Sequence, residues 1–150
     1  MIDVTASITI DRPVDEVFAY VNEPANEPHW HTDVLEATRA SEGAIGIGTT
    51  YDLKIKPFMG ISEGTTQVVE FEPDRRAVWR GEMGSMRPTL TYQFEPAAGG
   101  TRFTRRVQFE LPGMMRLMEP LARASGRKRN AGFLSNLKRV LEQESASRSS

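Results

Sequence analysis

A chain of 150 residues, 39% apolar and 26% charged, is long enough to bury one core, and its zero cysteines exclude disulfides, thiol catalysis and Cys-ligated zinc. Its net charge of −1 conceals an imbalance: residues 1–50 hold nine acids and two bases, whereas residues 51–150 hold eleven acids and seventeen bases. No apolar run approaches the roughly 20 residues of a membrane-spanning helix, and the first residues lack the basic-then-apolar form of a secretory signal, so a cytoplasmic location is expected.

In chain order, Val4, Ala6, Ile8 and Ile10 alternate with Asp3, Thr5, Ser7 and Thr9, which predicts a strand with one wet face. The period then changes. Asp11 is expected to cap a helix that Pro13 initiates, with Val14, Val17, Phe18 and Val21 forming its apolar stripe, while Pro24 and Pro28 allow only short helical pieces between that helix and Trp30. Val34–Arg39 reads as a short strand. Gly43, Gly46 and Gly48 are turn glycines rather than a phosphate-binding loop, because they lead into the alternating run 50–55 and not into a helix.

Four more strands are predicted over 61–71, 77–82, 89–95 and 101–110, separated by Pro, Gly and Asp turn signals, so that seven strands form an antiparallel meander. From Pro112 the spacing of Met114, Met118, Leu121, Ser125, Phe133, Leu134, Leu137, Val140 and Leu141 predicts one long helix, bent or weakened near Pro120, Gly126 and Gly132. A single domain over 1–144 and a disordered tail over 145–150 are expected.

The succession of strand, Asp11-x-Pro13, Val17-Phe18, Val21, Asn22-x-Pro24 and Trp30 resembles the START-like (SRPBCC, Bet v 1-like) superfamily, within it the bacterial polyketide cyclase/dehydrase-like family. The resemblance implies an α+β helix-grip fold: a seven-stranded curved antiparallel sheet wrapped around a long C-terminal helix, with two short helices between strands 1 and 2. It also implies that Trp30 packs where the short helices meet the second strand. A hydrophobic small molecule bound between sheet and helix is the function expected of such a protein, and neither cofactor nor metal is expected.

Strand parity gives the candidate lining. Tyr51, Leu53 and Ile55 share a face, as do Gln67, Val69 and Phe71, and Leu90, Tyr92 and Phe94. On the last strand Phe103, Arg105 and Val107 share the inward face. A buried guanidinium must meet a carboxylate, reach a pocket mouth, or await an anionic or carbonyl-bearing ligand. Trp30 and the helix residues Met114, Met118 and Leu121 complete the expected lining, with Met59, Met83 and Met86 at its rim or plugging it.

His29 and His31, followed by Asp33, invite a metal reading, but no third histidine supports it, and the absence of a G-x-S-x-G elbow argues against nucleophilic hydrolysis. If the protein is an enzyme, Arg105, His29, His31, Tyr51 and Tyr92 are its candidate catalytic groups, in a cyclase or dehydratase that polarises carbonyls and moves protons. A third reading uses the segment 121–141, which carries six bases and no acid, as a face for an anionic partner; no nucleic acid is expected, and oligomeric state is not readable.

Overall fold

The computed structural model of the chain describes residues 1–58 and 60–148, the last five by backbone alone. Seven strands form one antiparallel sheet: β1 (Ile2–Ile10), β2 (Val34–Arg39), β3 (Thr50–Phe58), β4 (Ile61–Glu72), β5 (Arg76–Glu82), β6 (Thr89–Ala97) and β7 (Gly100–Phe109). Their spatial order is β1-β7-β6-β5-β4-β3-β2, so the chain crosses once from β1 to β2 and then returns hairpin by hairpin until β7 closes against β1. The crossover carries helix α1 (Val14–Val21) and a 3-10 helix at Pro24–His29; a second 3-10 segment, Gly113–Met118, leads into α2 (Glu119–Arg148). The expected helix-grip arrangement of sheet, two short helices and terminal helix is present.

The alternation on β1 has its expected consequence: Ile2, Val4 and Ile10 are buried and Asp3, Thr5 and Ser7 stand on the other face. At α1 the start differs from expectation. Pro13, at φ −59°, occupies the N-cap position itself and no side chain caps the helix. Arg12 is held instead by its backbone, with its N–H donating to Ile10 O at 2.8 Å and its carbonyl accepting from Thr101 Oγ1 at 2.8 Å. Val17, Phe18 and Val21 are buried as the stripe requires, and Phe18 meets Phe71 and Phe94 edge-to-face at 5.3 and 5.0 Å.

One parity set fails. A β-bulge falls between Val68, opposite Trp79, and Glu70, opposite Val78, so Val69 is an extra residue and the alternation changes phase there. Thr66 and Val68 face inward before the bulge and Phe71 after it, whereas Gln67 and Val69 are exposed on the outer face.

The helix expectation also needs correction at its beginning. α2 packs through Gly126, Asn130, Phe133, Leu134, Leu137 and Leu141, chiefly across β1, and continues to Arg148. Leu121 and Leu137 are sixteen residues apart, about 4.4 turns, and therefore lie on opposite sides of the same helix. Met114, Met118 and Leu121 are 85%, 51% and 70% exposed and line no interior space. Met83 is half-buried and bridges to buried Met86 across the β5–β6 connection, while Met59 and residues 149–150 of the expected tail lie outside the described residues.

Candidate functional site

Under the junction of α2, the Pro24–His29 helix and the sheet lies a cluster of polar side chains in an aromatic setting. Its centre is Arg105 on β7. Parity turns this residue inward, opposite Tyr92 on β6 and opposite Ala6 on β1. Arg105 is 3% exposed. Its Nη1 donates to Asn130 Oδ1 on α2 at 2.7 Å, and Asn130 Nδ2 returns a bond to the Arg105 carbonyl at 3.1 Å. The guanidinium also stands 5.8 Å from the centre of the Phe133 ring, within cation–π range.

Of the three fates expected for a buried arginine, a salt bridge is not the one seen: among the described residues no carboxylate forms an ion pair with Arg105. Glu27 is the carboxylate that feels its charge. Burial pushes the Glu27 carboxyl up to about 7, with Arg105 pulling in the opposite direction. Burial likewise raises the Tyr92 hydroxyl well above its ordinary value, with the Glu27 charge adding to the effect and Arg105 opposing it. His31 is lowered well below the usual imidazole range by burial and then by the positive charge of Arg105, so it is neutral at neutral pH.

The elements hold these groups firmly. Backbone N–H groups of Trp30 and His31 donate to Glu27 O at 3.0 and 2.7 Å, fixing the turn that ends the 3-10 helix. The His31 ring stacks on Phe133 of α2 at 4.2 Å, and Trp30 meets Tyr92 and Phe103 edge-to-face, each at 6.5 Å. Asn136 Nδ2 donates to Trp30 O at 3.3 Å, and Arg129 pairs with Asp33, so α2 is strapped to the loop carrying the site. Three buried polar atoms in this cluster, Trp30 Nε1, His31 Nδ1 and Arg105 Nε, have no hydrogen-bond partner among the described residues. Such atoms are rare in folded proteins.

The other candidates divide. His29 is exposed and does not join His31. Among the described residues no group of three or more metal-ligating side chains converges. Tyr51 is buried but belongs to a neighbouring set: its hydroxyl donates to Glu23 Oε1 at 2.8 Å, its ring meets Trp79 at 6.2 Å, and burial together with Glu23 pushes it up to about 12. Leu53, Ile55, Phe94 and Phe103 are buried in the main core with half-buried Leu90, whereas half-buried Val107 packs in a smaller cluster with Ile2, Val4 and Leu111. The main-core side chains pack with Phe133, Leu134, Leu137 and Leu141 of α2 in one cluster. Two open clefts lie elsewhere, one of about 400 Å³ on the outer sheet face and one of about 510 Å³ beside the β5–β6 connection.

Glu27, Asn130 and Phe133 escaped the sequence reading as site residues. Asn130 was the most legible of the three, a polar residue set four before Leu134 and seven before Leu137 on an otherwise apolar stripe. Glu27, between two prolines, carries no such signal.

The family model described as "Polyketide cyclase / dehydrase and lipid transport" matches residues 1–142. Among solved structures, protein MLL2253 from Mesorhizobium loti is similar at a TM-score of 0.71 with 14% identity over 94% of this chain and 97% of its own. The di-domain ARO/CYC StfQ from the steffimycin biosynthetic pathway is similar at a TM-score of 0.74 with 16% identity, over 97% of this chain and 52% of that one. Ara h 8.0201 is similar at 0.67 and 16%, over 93% of this chain and 97% of that one. No curated protein matches this sequence.

Proposed function

Since the chain belongs to the family described as polyketide cyclase/dehydrase and lipid transport, we propose that it binds an apolar small molecule between the concave sheet face and α2, holding an acceptor oxygen of that molecule on Arg105 and Trp30. The observation that carries this reading is a guanidinium 3% exposed, bonded to an amide instead of a carboxylate, with its Nε unpartnered and with Trp30 Nε1, whose ring packs on the neighbouring Tyr92, unpartnered as well among the described residues. A buried cation without a counter-ion is destabilising, and a ligand carbonyl or carboxylate would offset that through charge-assisted bonds. Tyr92, Phe94 and Phe103 would meet the apolar body of the ligand. On this reading the ligand enters where the Phe133–His31 stack parts, and α2 with its straps to Trp30 and Asp33 is the element that moves.

A second reading, an enzyme of the cyclase or dehydratase kind, draws on Glu27 in this junction: burial pushes its carboxyl up to about 7, where such a group can both take and give a proton near neutrality. In that reading Arg105 stabilises the oxyanion of an enolising carbonyl while Glu27 takes the proton from the adjacent carbon and later returns it to a leaving hydroxyl. The likeness to an ARO/CYC protein agrees with this chemistry but, at 16% identity, does not assign it.

Trp79→Phe leaves Trp30 as the sole tryptophan reporter. Titration of that variant with aromatic polyketones and with fatty acids is expected to change Trp30 emission saturably for the class that binds. Adding Arg105→Met should weaken binding by at least about tenfold, the worth of a charge-assisted bond. If neither class gives a saturable change, and native mass spectrometry of protein from its own host finds no bound molecule, the reading fails. Glu27→Gln separates the two readings, since an enzyme would lose turnover and keep binding.

A further inference from the structure

The segment that the interior rejects has a chemistry of its own. Between residues 113 and 121 the chain exposes Met114 (85%), Leu117 (82%), Leu121 (70%) and Met118 (51%), and no residue of the Gly113–Met118 segment is buried. Isolated exposed apolar side chains are ordinary, but these four together with Met115, five large ones within eight positions, form a patch of the kind that marks an interaction surface. The segment is not a loose end. Leu111, 3% exposed, anchors it in the cluster with Ile2 and Val4, and Arg116 Nε donates back to Leu111 O at 3.3 Å.

Bases outnumber acids along this segment. Arg116, Arg123, Arg127, Lys128 and Arg129 fall between residues 113 and 132, against Glu119 as the single acid. Arg116, Arg123 and Arg129 are engaged with Glu110, Glu119 and Asp33, but no ion pair among the described residues takes Arg127 or Lys128, and both are exposed. Lys128 lies seven residues, two helical turns, beyond Leu121 and so continues the same outward stripe. The buried residues Asn130, Phe133, Leu134 and Leu137 occupy the opposite side of α2. The outward face of this helix is therefore apolar at its start and cationic two turns later.

From this placement we infer that the exposed face of residues 113–129 docks on an anionic phospholipid surface. Apolar side chains that project outward, followed two turns later by the cations Arg127 and Lys128, unpaired among the described residues, match a partner whose apolar depth lies beneath a negatively charged layer. A second copy of the chain fits poorly, because a two-fold contact would bring the same cations face to face. Docking leaves the interior untouched and does not depend on what binds beneath α2. No helix of the described residues is long and apolar enough to cross a membrane, so the contact is interfacial.

Co-sedimentation of the full chain with vesicles tests the inference, using phosphatidylcholine alone and phosphatidylcholine mixed in equal parts with phosphatidylglycerol. Binding is expected to the mixed vesicles, falling as salt is raised, and not to the neutral ones. The double change Arg127→Glu and Lys128→Glu should weaken binding about tenfold or more. The double change Leu117→Asp and Leu121→Asp should abolish it while leaving the thermal transition in place, because both side chains are exposed. Absence of binding to anionic vesicles overturns the inference, as does binding that survives Leu117→Asp and Leu121→Asp. A concentration-dependent dimer dispersed by those same two changes would also overturn it, assigning the patch to a second copy.

Discussion

Replacing Glu27 with Gln removes a carboxyl that burial pushes from an ordinary 4.5 to about 7. Below pH 4.5 the group is protonated in both folded and unfolded chains. Between 4.5 and 7 the unfolded chain has released the proton and the folded chain retains it, so the stability this group contributes at low pH is lost as pH rises through 7. A shift of about two and a half units corresponds to about 3 kcal/mol, and solvent reaching the half-buried side chain reduces that toward about 2 kcal/mol. His31 runs the other way. Its pKa is lowered in the fold, so its contribution is complete above 6.5 and is lost as pH falls below it. Over pH 4.5–6.5 the two slopes oppose each other in the native protein, and Glu27→Gln uncovers the histidine slope alone. Urea denaturation of both proteins from pH 4.5 to 8 reads this directly. The stability of the variant relative to the parent should rise by about 2–3 kcal/mol across that range. A difference independent of pH would mean that Glu27 ionises as it does in water, and that this junction is not a desolvated cluster.

Arg105→Met should move the Glu27 titration still higher by NMR, because Arg105 now lowers it. Asn22→Ala should destabilise by about 1–3 kcal/mol: the side chain of this residue, 2% exposed, accepts from Trp79 Nε1 at 2.9 Å, so its loss orphans that buried N–H, while Phe18 O keeps the backbone N–H of residue 22 at 3.1 Å, as a thermal melt would record. Gly100→Ala should cost about 1–3 kcal/mol or more and weaken amide protection where β7 meets the end of β1, because an added Cβ would sit 2.0 Å from Ile10 O, a backbone atom that no rotamer change can move aside.

Much of the architecture is legible in the order of residues alone. The alternation on β1, β3 and β7 places Val4, Ile10, Tyr51, Leu53, Ile55 and Phe103 inside, and it turns Arg105 inward against the residue's own preference for water. Period-2 reasoning succeeds there because the backbone itself forces successive side chains to opposite faces. It fails at Gln67 and Val69 because the bulge that reverses the alternation is a property of the β4–β5 pairing, invisible in β4 alone. Helical spacing fails at Met114, Met118 and Leu121 because steps of three and four drift around a helix when chained over many turns, and only the docking of α2 on β1 selects which side is inner.

The sequence by itself determined the strands and their antiparallel succession, the amphipathic terminal helix and the inward guanidinium, all consequences of local geometry within one element or across the short turn that joins it to the next. Tertiary structure decided what surrounds that guanidinium: it meets an amide from α2 25 residues later and the ring of Phe133, and its charge is felt by a carboxyl of the Pro24–His29 helix. Side-chain direction follows from the backbone of one strand, but partners, desolvation and the resulting pKa shifts arise only when elements distant in the chain exclude water together.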